Sequence, residues 1–503
     1  MSYPPMSRAA RPAVISCESR PPERVDRREI LLGLGGMCAA GSLGIGRDAL
    51  ALPIQAPDLS KCQPTGTNSG TNCCPPTTPP LVRPAAHTVD EAYLAKYKKA
   101  VKLMRELPPD DPRSFAQQAN VHCAYCDGAY DQVGFPGLEL QVHNSWLFFP
   151  FHRFYLHFHE RILGKLIGDE SFALPFWNWD APAGMTLPKI YTDPRSSLYD
   201  PLRDAAHQPP ALRQIDLNLS IMYRQMISSA RTTKLFMGQP YRAGGNRNPG
   251  SGSLETSPHG PVHVWVGDPK QPNGENMGIF YSAARDPIFY AHHANVDRMW
   301  HLWKKLDPRN VDFTDGDWLE SSFLFYDEAA RLVRVKVKDC LEPEMLGFTY
   351  QNVEVPWLRN RATPRSAPSA EGEAAEIRKG TASFPLTLSS AASVSVKRPK
   401  VSRSSADKDK EEEILVFDVY VDETDTADVK PDDSEFAGSF VNVPHRKGHN
   451  TKMAAVKTTL RLGISDLLED LKLEDEEELL VTLVPRKGKG KFNIGGVRIE
   501  LSS

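Results

Sequence analysis

Apolar and polar positions alternate along this chain with two different periods, one helical and one strand-like. In the segment 90–107, DEAYLAKYKKAVKLMREL, apolar side chains recur every three or four residues and form one face. This face consists of Tyr93, Tyr97, Val101 and Met104. The pattern predicts an amphipathic helix that begins at a capping box in residues 88–91 and ends before Pro108.

Further helices are predicted in the 150s, around residue 260 and from Asp286 onward. Asp286 is a favourable N-cap residue, and Pro287 is favourable at the first helical position. We therefore expect residues 52–304 to form a mainly α domain with long loops between its helices.

The pattern changes after residue 304 to short strand-like runs. Residues 305–358 contain runs such as LVRVKVKD and are expected to form an extension that closes the core. Residues 359–381 are rich in Arg, Ala, Glu, Pro and Ser and lack periodicity, which indicates a linker. Residues 382–503 contain a series of short alternating runs, and these predict a C-terminal β-sandwich.

The first 51 residues are typical of a targeting leader. Arg27-Arg28 precede the apolar stretch 30–45, and Ala49-Leu50-Ala51 follows as a small-residue cleavage pattern. The apolar stretch is rich in glycine and shorter than the roughly 20 residues that a membrane span needs. The sequence therefore predicts export and no membrane-spanning segment.

Charge and cysteine content narrow the choice of partners and of compartment. The net charge is −3, so nothing in the composition suggests a nucleic acid as partner. Behind an export signal, clustered cysteines predict disulfides, although their connectivity does not follow from spacing. Cys123 and Cys126 form a C-x-x-C, but there is no second such pair to complete a zinc site. The cysteines beyond the leader are Cys62, Cys73, Cys74, Cys123, Cys126 and Cys340.

Histidines provide the strongest functional signal, because 11 of the 14 lie between His122 and His301. Imidazole is a preferred ligand of copper, zinc and nickel. Two groups stand out, and they predict two metal ions side by side. The first group is His122, His143 and His152; the second is His259, His263 and one of the pair His292-His293.

Helical geometry restricts how these histidines can meet. His259 and His263 are four residues apart, so both rings would lie on one face of a helix. His292 and His293 are adjacent and diverge by about 100°, so only one of them points at the metal, and spacing does not choose between them. His143 precedes His152 by nine residues and has to lie before the helix begins, with Asn144 and Ser145 as caps.

The residues around the histidines are compatible with either copper or zinc as the metal. Three neutral imidazoles per ion in a dry aromatic pocket suit copper, while Glu255 could serve as the carboxylate of a zinc hydrolase. His157 and His159 are interpreted as core residues near the site rather than as ligands. The expected pocket residues are Trp146, Phe148, Phe149 and Phe151.

Several segments resemble the plant polyphenol oxidases, the catechol oxidase and tyrosinase group. They include HCAYCDGAY, LQVHNSWLFFPFHRFYLHFHERILG, SLETSPHGPVHVWVGD, RDPIFYAHHANVDRMWHLW and GDWLESSFLFYDE, and the resemblance covers nearly the whole chain. It implies a dicopper site in a four-helix bundle, followed by a cover domain. The implied ligands are His122, His143 and His152 for the first copper, and His259, His263 and His293 for the second.

The same resemblance assigns the cysteines. It implies a thioether between Cys126 and His143. It also implies disulfides that join Cys62 to Cys74 and Cys73 to Cys123, with Cys340 as a free thiol.

The resemblance further implies that O2 oxidises catechols to o-quinones at this site. Glu255 matches the family's water-holding glutamate and is expected to act as a base. Phe280 matches the aromatic residue expected over the second copper, and with Gly260 and Val264 it would line the substrate mouth. Gly260 departs from the asparagine found after the equivalent histidine in tyrosinase-type members, which favours catechol oxidation over monophenol hydroxylation.

A latent enzyme of the thylakoid lumen is implied as well, activated by a protease that cuts the linker 359–381. One alternative is a tyrosinase, or a hydroxylase dedicated to one phenolic metabolite. Another is a dioxygen carrier of the haemocyanin kind. The sequence does not indicate the oligomeric state.

Overall fold

A computed structural model describes most of the two predicted domains. The described residues are 13–18, 52–57, 67–68, 79–208, 219–362, 386–397, 415–423, 429–431, 433–443, 458–489 and 493–501. Apart from 13–18, the predicted leader lies outside them, as does the predicted linker from residue 363 onward.

Helices dominate the first half of the described chain. They are α1 (Glu91–Glu106), α2 (Phe115–Cys126), α3 (Phe148–Ile167), α4 (Leu219–Met226), α5 (Thr233–Met237), α6 (Gly260–Val266), α7 (Phe280–Ala283), α8 (Ile288–Leu306), α9 (Gly316–Leu319) and, near the C-terminus, α10 (Ser465–Leu471). A single π-helical turn, Glu255–His259, leads into α6. The mainly α core and the C-terminal sheet domain are therefore confirmed.

Helix α1 shows how local sequence sets an element's limits. Its buried face contains Tyr97, Val101 and Met104 from the predicted apolar stripe. The N-cap is Asp90, whose carboxylate accepts from the backbone N–H of Tyr93 over 2.8 Å, so the predicted capping box at 88–91 was misplaced by two residues.

The strands are short in the core and longer near the C-terminus. They are β1 (Ala13–Glu18), β2 (Thr67–Asn68), β3 (Leu81–Arg83), β4 (Asp131–Gln132), β5 (Phe135–Glu139), β6 (Ser322–Tyr326), β7 (Leu332–Lys336), β8 (Phe348–Tyr350), β9 (Leu386–Thr387), β10 (Ala392–Lys397), β11 (Leu415–Val421), β12 (Phe436–Asn442), β13 (Thr459–Gly463), β14 (Glu478–Lys487), β15 (Asn493–Ile494) and β16 (Val497–Leu501). Strands β6 and β7 pair antiparallel, as the strand-like runs of 305–358 predicted.

Buried ion pairs connect the helices that surround the site. Arg153 of α3 contacts Asp297 of α8 with an Nε–Oδ1 distance of 2.5 Å, and the hydroxyl of Tyr350 donates to the other carboxylate oxygen of Asp297. Arg83 of β3 contacts Glu160 of α3 at 2.9 Å. These groups are almost fully buried, so removal of one partner would leave an uncompensated charge in the core. The Arg153–Asp297 pair therefore fixes α3 against α8, and the Arg83–Glu160 pair fixes β3 against α3.

The C-terminal domain contains two main sheets around its own apolar core. One sheet has the antiparallel order β10-β14-β11-β12, and the other has the order β13-β1-β16. Residues such as Val419, Leu462 and Val481 fill the space between them. Strand β1 comes from the segment predicted as a leader, and α10 was not predicted.

The side of this domain that carries β12 packs against the helical core. Arg224 of α4 donates through Nη2 to the backbone oxygen of Ser434 over 3.3 Å, and Ser229 donates to the backbone oxygen of Gly463 over 3.3 Å. Within the described residues, no helix has the length and apolarity required to span a bilayer.

Candidate metal centre

The first histidine cluster is assembled from two helices and the loop between them. His122 lies on α2, His152 lies on α3, and His143 lies five residues before α3 begins. All three side chains are buried, and their candidate ligand atoms lie within 4.8 Å of one another. The prediction that His143 precedes the helix is thus confirmed. The predicted caps are not, because the N-cap is Leu147 and Ser145 instead accepts from the Leu147 N–H over 3.2 Å.

The second cluster contains four histidines rather than three. His259 and His263 lie at the start and in the middle of the segment around α6, and His292 and His293 lie on α8. Their candidate ligand atoms also fall within 4.8 Å of one another, and all four side chains are buried.

Backbone carbonyls determine which ring nitrogen of the candidate ligands is free. Nδ1 of His152 lies 2.8 Å from the Phe148 oxygen, and Nδ1 of His122 lies 3.1 Å from the Phe280 oxygen. Because a carbonyl only accepts, each Nδ1 carries the hydrogen and each Nε2 keeps its lone pair. Nε2 of His152 and Nε2 of His259, one from each cluster, are buried without a hydrogen-bond partner. Such orphaned nitrogens are what two metal ions would satisfy.

The hydrogen bonds separate His292 from His293, which spacing could not do. Nε2 of His293 lies 3.3 Å from Nε2 of His263. Metal–imidazole bonds of about 2.0–2.1 Å at a tetrahedral angle would place two ligand nitrogens about 3.3 Å apart. His292 instead accepts a hydrogen bond at Nδ1 from the indole Nε1 of Trp179 over 3.1 Å. The two imidazoles therefore differ in their hydrogen bonds, and it is Nε2 of His293 that lies at the separation expected of two ligands of one metal.

The two clusters share one aromatic cavity. The rings of His152 and His293, one from each cluster, stack with centroids 4.1 Å apart and an interplanar angle of 11°. Phe148 contacts His259 at 4.7 Å, and Phe289 contacts His293 at 4.3 Å. Two metal ions held by these groups would therefore be neighbours.

Burial keeps these imidazoles neutral. It lowers the pKa of His152 to about 3 and that of His263 to about 4, and it lowers the pKa values of His259 and His293 well below the usual range. Neutral rings offer lone pairs to a metal at ordinary pH. The donor set is thus ready to bind without first losing protons.

Glu255 lies four residues before His259 of the second cluster. Its Oε1 accepts from the backbone N–H of Asn144 over 2.6 Å, while Oε2 is buried without a partner. Burial raises the pKa of Glu255 to about 8. The peptide oxygen of the same residue contacts Nδ1 of His259 at 3.0 Å, which places Glu255 beside the site.

The expected mouth residues lie on different sides of the cavity. The Phe280 ring stacks on His143 of the first cluster with centroids 4.0 Å apart, whereas we had expected it over the second copper. Val264 is half-buried on α6. At Gly260, a Cβ atom would lie 3.1 Å from Cγ1 of Val441, a residue of β12. The C-terminal domain thus lies directly over the start of α6.

Gln141 brings Cys126 close to His143. Its side-chain nitrogen donates to the backbone oxygen of Cys126 over 2.8 Å, and its Oε1 accepts from the His143 backbone N–H over 2.9 Å. Cys340 is a buried free thiol that donates to the Val337 oxygen. The expected disulfides fall on Cys62, Cys73 and Cys74, which lie outside the described residues, so those pairings stay predictions.

Sequence reasoning missed Phe289 and Trp179 at the site, gave Asn144 the role of a helix cap, and misplaced two other residues. Phe289 precedes His293 by four residues on α8, and this spacing could have identified it as a neighbour. Trp179 and Asn144 gave no comparable signal, because their contacts join distant parts of the chain. Trp146 and Phe149 were expected to line the pocket. Instead, Trp146 packs edge-on against Phe313, and Phe149 stacks on Phe236.

Two other groups of histidines have different roles. His159 stacks on Tyr290 with centroids 3.6 Å apart and is absent from both clusters, as a core residue would be. His301 lies near Glu342 and Glu344, but both glutamates are exposed and Lys304 contacts Glu342 at 2.6 Å. Lysine already neutralises that carboxylate, so we assign no metal to this group.

Three protein-family descriptions match successive parts of the chain. "Common central domain of tyrosinase" matches residues 112–306, which contain both histidine clusters. "Polyphenol oxidase middle domain" matches residues 312–363, and "Chloroplastic Polyphenol Oxidase C-terminal domain" matches residues 384–501.

Whole proteins with these domains are similar over nearly their full length. "Polyphenol oxidase, chloroplastic" from Malus domestica is 53% identical over 538 residues, covering 95% of this chain and 90% of the relative. "Aureusidin synthase" from Antirrhinum majus is 51% identical over 530 residues, covering 94% of this chain and 93% of the relative. Among solved structures, latent apple tyrosinase aligns with a TM-score of 0.78 and 52% identity, over 87% of this chain and 100% of the other.

Proposed function

Because this chain belongs to the tyrosinase family of plant polyphenol oxidases, copper oxidoreductases that act on phenols, we propose that it oxidises catechols to o-quinones. The family's cofactor is a pair of copper ions, which the two histidine clusters fit. In the proposed reaction, two catechols each lose two protons and two electrons, and one O2 is reduced to two waters. The two copper ions would supply the electron transfer between phenol and O2.

The observation that carries this proposal is the pair of adjacent buried histidine clusters, each with its candidate ligand atoms within 4.8 Å of one another. We assign His122, His143 and His152 to the first copper, and His259, His263 and His293 to the second. A thioether between Cys126 and His143 is part of the proposal, and it is supported by the bridge that Gln141 makes between them. Such a bond would fix the imidazole orientation.

The remaining site residues have roles in proton transfer and substrate placement. Glu255 has an unpartnered buried Oε2 and a pKa of about 8, so we propose that this atom holds water or accepts a phenolic proton. Phenols ordinarily lose their proton near pH 10, so a base helps at neutral pH. Phe280 lies flat on His143, and we propose that its ring also contacts a substrate ring that enters beside Gly260 and Val264.

We further propose that the uncut chain is latent. The contact of Val441 with Gly260 supports this idea, because β12 occupies space through which a substrate would approach the second cluster. Cleavage by a protease in the predicted linker 359–381 would release the C-terminal domain and open the mouth.

Catechol oxidation is favoured over the alternatives by residue 260. Gly260 has no side chain that could orient a water molecule, in contrast with the asparagine expected in tyrosinase-type members. Aureusidin synthase is named for one specialised product, so a hydroxylase dedicated to one phenolic metabolite is the second candidate. A haemocyanin-like carrier is a more distant candidate.

We propose the chloroplast as the location, and the thylakoid lumen within it. The chloroplastic name of the Malus relative and the twin arginine before an apolar stretch support this proposal.

Oxygen uptake by copper-loaded protein tests the function. The protein should be assayed uncut and cut in the linker, with a simple catechol and with its matching monophenol. We expect uptake with the catechol alone, and a higher rate after cleavage. Comparable uptake with both substrates would identify a tyrosinase, and no uptake with two coppers bound would contradict the proposal.

A further inference from the structure

The second cluster holds one imidazole more than a catalytic copper site needs. The ligand atoms of His259, His263, His292 and His293 all lie within 4.8 Å of one another. Metal sites with four protein ligands are typically closed and structural, whereas catalytic sites keep one position open for a small molecule. Some feature of the fold therefore has to keep the fourth imidazole off the metal.

That feature is the hydrogen bond between Trp179 and His292. The indole Nε1–H of Trp179 lies 3.1 Å from Nδ1 of His292. Because an indole nitrogen only donates, Nδ1 of His292 has to be the acceptor, and the ring hydrogen has to lie on Nε2. Both nitrogens are then occupied: one lone pair receives the indole hydrogen, and the other nitrogen carries its own.

The neighbouring ligands have the opposite arrangement. Nδ1 of His259 lies 3.0 Å from the Glu255 carbonyl oxygen, and Nδ1 of His263 lies 2.7 Å from the Met277 carbonyl oxygen. These carbonyls accept, so the hydrogen stays on Nδ1 and Nε2 is free for a metal. Two of the three ligands assigned to this cluster therefore have a carbonyl partner at Nδ1, whereas His292 has an indole partner there. Nδ1 of the third ligand, His293, is buried without a hydrogen-bond partner.

The position of Trp179 is fixed by the helix that carries His292. The backbone N–H of Trp177 donates to the Ala291 oxygen of α8 over 2.8 Å. Asp180, the residue after Trp179, accepts from Arg298 over 3.0 Å and from Asn295 over 2.9 Å. Trp179 itself is fully buried. Contacts with α8 on both sides of Trp179 therefore hold its backbone in place, and burial of the side chain restricts movement of the indole away from His292.

We propose that Trp179 is a positioning residue that keeps one coordination position of the second copper open, because its N–H fixes the His292 hydrogen on Nε2. This inference rests on the proposed dicopper function. Without the indole N–H, His292 could carry its hydrogen on Nδ1 and bind through Nε2 as a fourth imidazole. The open position would then be lost although both copper ions remain bound.

Azide tests this, because it binds Cu(II) at an open position and produces an absorption change. Copper per chain and azide affinity should be measured on the oxidised, copper-loaded full chain. The variants are Trp179→Phe, His292→Leu and the double variant. Trp179→Phe is expected to hold two coppers and to bind azide at least about tenfold more weakly, while the double variant regains the parent affinity. His292→Leu alone is expected to retain two coppers and the parent azide affinity.

Unchanged azide affinity in Trp179→Phe would overturn the proposal, and so would loss of the second copper in His292→Leu. If Trp179→Phe fails to fold, site-specific benzothienylalanine at position 179 replaces only the ring N–H by sulfur and preserves the shape. The same tenfold weakening is expected there, and unchanged affinity would again contradict the proposal. Neither readout involves phenol oxidation, so a failure of the proposed activity would be recognised separately by the oxygen-uptake assay.

Discussion

The backbone N–H of Asn144 donates to Oε1 of Glu255 over 2.6 Å. The loop that carries His143 of the first cluster therefore holds this carboxyl group beside the second histidine cluster. Asn144 has a φ of 56°, in the left-handed region that asparagine and glycine tolerate better than other residues. Its side chain contacts Ser251 and Asn248. The placement of Glu255 therefore depends on an unusual backbone conformation one residue after His143.

Comparison of Asn144→Gly with Asn144→Ala isolates that backbone requirement. Both variants lose the same side-chain hydrogen bonds, but only alanine is strained at positive φ. We expect Asn144→Ala to be less stable than Asn144→Gly by about 1 kcal/mol, with the larger loss of activity. Urea denaturation of both variants measures the difference. Equal stabilities would show that the left-handed conformation is not maintained in solution.

Copper content tests the ligand assignment. His263→Ala removes an imidazole whose Nε2 lies 3.3 Å from that of His293, so we expect copper to fall from two ions to one and oxidation to be abolished. His159→Phe is the matched control, because His159 is equally buried and lies outside both clusters. The control should keep two coppers per chain. Full activity in His263→Ala would contradict the site.

Gly260 offers a test of latency. A Cβ atom there would lie 3.1 Å from Val441, so Gly260→Ala should weaken docking of β12 and raise the catechol rate of the uncut chain about two- to fivefold. After linker cleavage the rate should differ little from that of the parent. Gly316→Ala is the control, because nothing lies within 4 Å of the Cβ position at residue 316. If the ratio of the uncut rate to the cut rate is unchanged in Gly260→Ala, the proposal that the C-terminal domain restricts access to the site would be contradicted.

Glu255→Gln should affect monophenol hydroxylation and catechol oxidation to different extents. If Oε2 accepts the proton of a monophenol, its loss should slow any residual monophenol hydroxylation at least tenfold, and more than catechol oxidation. Steady-state rates on a matched monophenol and catechol measure this. Equal losses on both substrates would mean that Glu255 has no role specific to hydroxylation.

Acid should destabilise the protein through His159. Burial lowers its pKa to about 3, whereas the unfolded chain binds a proton near pH 6.5. The unfolded state therefore binds more protons, and stability falls as pH drops from about 6.5 toward about 3. His159 alone should contribute a loss of about 2 kcal/mol between pH 7 and pH 5.

His159→Phe should flatten that pH dependence, because phenylalanine binds no proton. The difference in unfolding free energy between pH 7 and pH 5, measured for the parent and the variant, tests it. An identical pH dependence in His159→Phe and the parent would indicate that His159 is not held neutral in the folded state.

Sequence periodicity was informative where contacts are local. The stripe on α1 and the four-residue spacing of His259 and His263 depend only on helix geometry, and both appear in the structure. The position of His143 ahead of α3 followed from the same geometry.

Sequence periodicity did not predict contacts between distant segments of the chain. The Phe280 ring lies over His143, more than a hundred residues earlier, and no pattern near Phe280 indicates which cluster it covers. The choice between His292 and His293 likewise depends on Trp179, a residue from another part of the fold. Strand β1 joins the C-terminal domain although its residues were predicted to belong to a leader.

The residue that approaches Gly260 belongs to a different domain from every histidine of the two clusters. If the uncut chain is latent as proposed, substitutions along β12 would alter how readily it is activated without altering the metal ligands. Evolution could adjust the threshold for activation and the preference for one phenol independently of each other. Related enzymes would then be expected to vary at the position of Val441 while they keep the same metal ligands.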